Sequence, residues 1–294
     1  MTEEELGKQN SEELKKQLHG DAEVKENDPE FSKSASGFFD LPAGYLDKDG
    51  VLHKKIGLIE MTGEDEDILS SGGGSMLDKL NRVMANCISS IGSITERAEI
   101  RKAVAKFCTA DRNYLIVAMR RVSLGDDFLM DVTCPRCETV QKMELDLSTL
   151  AVDEMPHPLV RIHEVVLPSG KVAIWEVMTG EEEDKLSKIR EATQKDMLSF
   201  AIMARLRSLD EDTITIGNRL TDARGKLSLD RSGQASFAIV KKMTLRDRNA
   251  LRDSFTEEEG GVDTEVRYQC EKCKANVEAD FNPAQIGFFF PSGV

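Results

Sequence analysis

The sequence predicts an α+β fold of two pseudo-symmetric repeats, each with short antiparallel strands, amphipathic helices and a β-hairpin carrying a Cys-x-x-Cys pair. Three observations predict it. Met61-Thr62-Gly63-Glu64-Asp65-Glu66-Asp67-Ile68-Leu69-Ser70 lies over Met178-Thr179-Gly180-Glu181-Glu182-Glu183-Asp184-Lys185-Leu186-Ser187 without a gap. Asp111-Arg112-Asn113, followed by Cys134 and Cys137, recurs as Asp247-Arg248-Asn249, followed by Cys270 and Cys273, every residue displaced by the same 136 positions. Recurrence in one order at one separation marks an internal duplication. Around each cysteine pair, apolar residues alternate as in a hairpin. Phe128, Met130 and Val132 precede the first pair, and Met143, Leu145 and Leu147 follow it. Val266 and Tyr268 precede the second, and Val277, Ala279 and Phe281 follow.

The elements follow in chain order. Residues 1–37 are rich in Glu, Lys, Ser, Asn and Asp, with Leu6, Leu14, Leu18 and Val24 almost alone as large apolar side chains. Such a segment buries too little to offset its ordering entropy and predicts an acidic, disordered tail. The first repeat spans 38–150, a linker 151–160, and the second repeat 161–294. Leu41-Pro42-Ala43-Gly44, Asp47-Lys48-Asp49-Gly50 and Leu167-Pro168-Ser169-Gly170 are turn chemistry beside short strands. The Asp47 turn lacks the third acidic ligand and the distal Glu of a calcium loop. Thr62 and Thr179 suit helix N-caps, with Asp65 and Glu182 three residues on as capping-box partners; this accounts for the acidic runs as helix starts.

The glycines of Ser70-Ser71-Gly72-Gly73-Gly74-Ser75 separate two helices, and with no Gly-Lys-Ser/Thr after them they are no phosphate loop. From Met76 to Ile91, helical spacing puts Met76, Leu80, Val83, Met84, Cys87, Ile88 and Ile91 on one face, and Met197 to Leu209 reads similarly. Cys87 and Cys108 are core side chains on this reading. Arg112 and Arg248 either pair with neighbouring acids or orient a partner, and as half-buried architecture within each repeat they favour the ion pairs.

Composition limits the function classes. The chain has 40% hydrophobic and 31% charged residues with a formal net charge of −14, a field that repels nucleic acid and anionic membrane alike. No apolar run reaches the length of a membrane span, and the N-terminal residues lack the basic and apolar regions of a signal peptide. This predicts a reducing cytoplasm, where six cysteines are thiols or metal ligands. No HExxH, GxSxG or GxGxxG motif is present, and four scattered histidines leave little for a catalytic triad, so the sequence predicts no enzyme.

Structural zinc needs four ligands in a closed tetrahedral shell, and each knuckle supplies two. Cys134, Cys137, Cys270 and Cys273 are thus candidate ligands of one structural zinc shared between the repeats. The long gap from Cys137 to Cys270 leaves two alternatives open: His157 or His163 as substitute ligands, or metal-free knuckles packed as turns. A redox pair of the thioredoxin kind needs a helix N-terminus that extended flanks do not offer. Phe288, Phe289 and Phe290 form a terminal apolar block, read as a strand that either covers its own core or inserts into a partner.

The ordered set of motifs resembles a known family: the LPxG turn, MTGEDED, DRNYLIVAMRRVSLGDDF, CPRC with LDL, LPSGK, MTGEEE, a second CxxC and a closing GFFFP. It is similar to the tail baseplate hub assembly proteins of contractile-tailed phages, the family of the T-even baseplate hub protein, over residues 38–294. The resemblance implies a non-enzymatic tail morphogenesis protein, a chaperone or a subunit of the baseplate hub. It would have phage hub or tail proteins as partners and act in the host cytoplasm or the virion tail. The second knuckle, CEKC, departs by lacking the proline of CPRC. The rival reading from the residues is a zinc-ribbon adaptor in transcription or RNA handling, which calls for a basic groove with aromatic residues near the knuckles.

Overall fold

The computed structural model describes residues 36–193, 197–221 and 227–290. The predicted tail falls outside the described residues except for Ser36 and Gly37. In the first repeat, strands β1 (Gly37–Leu46) and β2 (Leu52–Leu58) lead into helices α1 (Gly63–Ser70) and α2 (Met76–Cys87) and strand β3 (Ile88–Ile91). Helices α3 (Arg97–Val104) and α4 (Thr109–Leu124) follow, then the hairpin of β4 (Asp127–Thr133) and β5 (Val140–Asp146). Strand β6 (Val152–Asp153) lies in the linker.

The second repeat restates that order with β7 (Ile162–Val166), β8 (Val172–Glu176), α5 (Gly180–Thr193), α6 (Met197–Arg205) and β9 (Leu206–Leu209). It then adds short strands β10 (Asp212–Thr213), β11 (Arg219–Thr221) and β12 (Leu227–Leu229) before α7 (Arg231–Lys242) and α8 (Leu245–Glu259). Strand β13 (Gly261–Val262), the hairpin of β14 (Glu265–Gln269) and β15 (Asn276–Asp280), and the short helix α9 (Ile286–Phe289) complete the described chain. The predicted α+β class, with its cysteine-bearing hairpins, is the observed one.

The described residues fall into two compact units. The knuckle unit comprises residues 36–43, Lys54–Glu154 and 260–290, and the companion unit Gly44–His53 and Met155–Glu259. Both cysteine hairpins therefore belong to the knuckle unit, although they come from different repeats.

In the knuckle unit, β3 pairs antiparallel with β2, Ile56 facing Ile91 and Gly57 facing Ser90. Helix α2 buries Leu80, Val83, Met84 and Cys87, and α4 buries Leu115, Ile116 and Met119, so one apolar core joins helices and strands. Strand β13 pairs with β6, Gly261 opposite Asp153. In the companion unit the sheet runs β10-β9-β8-β7, and Trp175, fully buried, packs edge-on against Phe255.

One helix expectation needs correcting. The segment from Met76 to Ile91 is not a single helix: α2 stops at Cys87 and the chain switches to strand at Ile88. The second repeat does the same, α6 stopping at Arg205 before β9. Residues 84, 87, 88 and 91 fit a helical face, but β-branched Ile88 and Ile91 are buried by pairing with β2, which a helical period cannot register.

The predicted caps form. The Asp65 carboxylate accepts the Thr62 N–H at 2.9 Å, and the Glu182 carboxylate accepts the Thr179 N–H at 3.3 Å. The duplicated Asp-Arg-Asn motif has a matched role in each unit. Asp111 accepts the N–H of Ala43 at 2.7 Å, and Asp247 accepts that of Ser169 at 3.0 Å; Ser169 sits in the expected turn, whereas Leu41 to Gly44 run inside strand β1 instead of turning. Arg112 donates to the carbonyl of Val104, eight residues back, and to Asn81; Arg248 donates to the carbonyl of Val240, also eight back, and to Ser199.

Candidate metal centre

Each cysteine pair sits at the tip of a regular hairpin. Strands β4 and β5 pair from Asp127 opposite Asp146 to Thr133 opposite Val140; β14 and β15 pair from Glu265 opposite Asp280 to Gln269 opposite Asn276. The tips then close identically. The Cys134 N–H donates to the Thr139 carbonyl at 2.9 Å and the Glu138 N–H to the Cys134 carbonyl at 2.8 Å. In the second knuckle, the Cys270 N–H donates to Ala275 and the Lys274 N–H to Cys270, both at 2.9 Å. The residue after each second cysteine is left-handed, Glu138 at φ 57° and Lys274 at φ 59°, an uncommon conformation outside glycine. Replacing Pro135 by Glu271 between the knuckles leaves this geometry unchanged.

The four Sγ atoms lie within 4.8 Å of one another, with Cys134 to Cys273 and Cys137 to Cys270 each at 3.6 Å. A disulfide would need about 2.05 Å. Four thiolates at about 2.3 Å from one tetrahedral zinc stand about 3.8 Å apart, the separation of a closed structural site. Both 3.6 Å approaches run between hairpins, so a bound ion would join the two repeats. Cys134 and Cys270 are fully buried and Cys137 and Cys273 partly so.

The thiols are not equivalent. Hydrogen bonding from the Thr139 hydroxyl, 3.4 Å away, and from its N–H pulls Cys137 down to about 6. The N–H of Cys273 draws Cys270 below its ordinary value. At Cys273 the Ala275 N–H also pulls down, but burial and the surrounding thiols outweigh it and push the group up to about 11. A divalent cation would take all four as thiolates, which is the chemistry this sulfur cluster suits.

Three supporting residues escaped the sequence reading. Gln141 bridges the hairpins, accepting the Glu271 N–H at 2.9 Å and donating to the Gln269 carbonyl at 3.4 Å. Thr139 acts on Cys137 as described. Tyr268 packs against the cysteines with a buried hydroxyl that has no hydrogen-bond partner among the described residues. Only the register of the two hairpins, invisible in one sequence, brings Gln141 to its partner. Neither histidine joins the cluster: His157 is exposed, and His163 stacks on Trp175 at 4.4 Å in the companion unit. Among the described residues the cysteines are the one candidate metal-binding group.

The terminal aromatic block forms helix α9 rather than the expected strand, so its side chains do not alternate between two faces. Phe288 and Phe289 are buried, 2% and 1% exposed, and Phe290 is half-buried. Phe288 meets Phe128 at 5.0 Å and Phe281 at 5.9 Å between ring centroids. Arg120, buried on α4, clamps this corner by donating to the carbonyls of Phe288, Gly125 and Asp127 at 2.8, 3.1 and 3.1 Å.

The first knuckle and the linker lie in a stretch that is similar to a known family. Residues 49–175 match the family of the T4 bacteriophage base plate protein. The match supports a phage baseplate protein with a structural role in the tail. The matched stretch contains Cys134 and Cys137 and ends before Cys270 and Cys273, so the four-cysteine cluster rests on the geometry alone. No curated protein and no solved structure matches the chain significantly. Among the described residues, no helix is long and apolar enough to cross a membrane.

Proposed function

We propose that this baseplate protein acts without catalysis in assembly of the baseplate hub, as a chaperone that leaves or a subunit that stays. Its partners are other tail proteins, met in the host cytoplasm, and its Cys134, Cys137, Cys270 and Cys273 hold one structural zinc. The observation that carries the reading is the baseplate family match over residues 49–175. The cysteine geometry supports the metal: four sulfurs at tetrahedral separations in a buried, closed shell suit a structural ion and leave no open position for substrate. Joining hairpins from two repeats, the ion would fix the knuckle unit as a rigid part for assembly contacts.

The test is to compare purified phage particles with infected-cell lysates. A retained subunit is found in both at fixed ratio to other hub proteins, and a chaperone only in lysates, bound to a tail protein. Absence from particles and from every tail intermediate would overturn the proposal. Elemental analysis giving no zinc would overturn the metal assignment and leave the assembly role standing.

A further inference from the structure

A groove of about 370 Å³ in the knuckle unit runs beside strand β4. Phe128, Leu129, Met130 and Asp131 line it in succession, so it follows the strand rather than one face of it. Among the described residues β4 pairs with β5 alone, so beyond the Asp127 carbonyl, which Arg120 holds, its other edge has no strand partner for its backbone N–H and C=O groups. Beneath the groove Phe128, Phe281 and Phe288, all buried, pack 5.0 to 6.0 Å apart between ring centroids and make a firm base. Leu129 is 45% exposed on the wall, and at Gly287 a Cβ would meet no atom within 4 Å, so the groove is open there. Asp131 and Asp280 line it, with Asp127 and Glu144 exposed on the same hairpin, against Lys142 as the basic lining residue.

We infer that this groove receives an extended, positively charged segment of a partner protein, which adds a strand to β4 and lays an apolar side chain against Leu129. The inference rests on the assembly role proposed above and names the chemistry of the partner. A free strand edge is satisfied by another extended backbone, and an acidic wall selects a basic one. Like charge disfavours the chain's own acidic residues 1–35 and a second copy carrying −14.

The full-length protein is titrated with a labelled synthetic peptide alternating lysine and valine around a central phenylalanine, and with its twin carrying glutamate for lysine. The basic peptide binds, more weakly as salt rises, and the acidic twin does not. Gly287→Trp fills the groove without touching the core and weakens binding about tenfold or more, a loss that Gly287→Ala does not reproduce. Leu129→Lys, at an exposed position, also weakens it, by setting positive charge against the basic peptide. Amide exchange slows at Leu129 to Asp131. Equal binding of both peptides, indifference to both groove variants, or protection elsewhere overturns the inference. So does self-association lost in Gly287→Trp, which would assign the groove to a second copy. Failure of the peptide with the protein present in particles sinks the groove alone.

Discussion

The Asp111 carboxylate holds the backbone N–H of Ala43 at 2.7 Å across 68 residues, and Asp247 repeats the contact on Ser169 at 3.0 Å in the other unit. Each helix that carries Asp-Arg-Asn in its first turn is thereby tied to the Leu-Pro segment of the strand pair that begins its repeat, inside β1 in the first and in the turn after β7 in the second. Asp111 is fully buried, so its removal strands an N–H away from water. Asp111→Ala should cost about 1–3 kcal/mol, read as a lower urea midpoint, with a smaller loss for Asp111→Asn, which keeps one acceptor. Asp247→Ala should shift the midpoint in the same direction.

Zinc binding should be a stability term as well as a stoichiometry. An ion that binds only the folded chain stabilises it by about 4 kcal/mol at a free concentration a thousandfold above its Kd. Chelation should therefore lower Tm and zinc should restore it. Cys270→Ser should bind less metal and lose the chelator response, although Cys134 and Cys137 remain in place. A melt indifferent to chelator in the wild-type protein would contradict the role.

Arg120 is buried beneath the terminal aromatics with its guanidinium spread over three carbonyls and lying 5.0 Å from the centre of the Phe128 ring. Burial pulls its pKa below the ordinary arginine value, so the site bears a desolvation cost that the hydrogen bonds offset. Arg120→Met keeps the stem but leaves those carbonyls without this donor, a loss of about 3 kcal/mol or more. Lysine should rescue poorly, because one ammonium cannot reproduce the fork. Limited proteolysis should show earlier cleavage within residues 281–290 in both variants.

The particular residues show what a single sequence can carry. Capping at Thr62 and Thr179 was legible because a capping box is local, three residues wide. The repeat and the four cysteines were legible because duplication leaves paired motifs in one order. What escaped depends on distance in the chain. The switch from helix to strand at Ile88 is set by β2, 30 residues upstream, and the Gln141 bridge by a hairpin more than 120 residues downstream. Phe288 and Phe289 were read as a strand because a run of aromatics favours one. Packing of Phe288 on Phe128 and Phe281, with Arg120 capturing its carbonyl, made a helical turn the better solution.

His163 should make the companion unit sensitive to acid. Its ring stacks on Trp175, its Nε2 is buried without a partner among the described residues, and Glu258 stands 3.8 Å from Nδ1. Burial lowers its pKa below the ordinary value near 6.5, the attraction of Glu258 offsetting only part of that. The unfolded chain therefore binds more protons here than the folded one below about pH 6.5, and stability falls as pH drops through that value toward the folded pKa. Trp175 is the single tryptophan, so its fluorescence reports this unit. Urea midpoints followed by that signal should decline from pH 7 to pH 5 in the wild type. His163→Phe keeps the stack and removes the titration, so its midpoint should vary less over the same range. A variant that declines as steeply as wild type would place the acid sensitivity on another group.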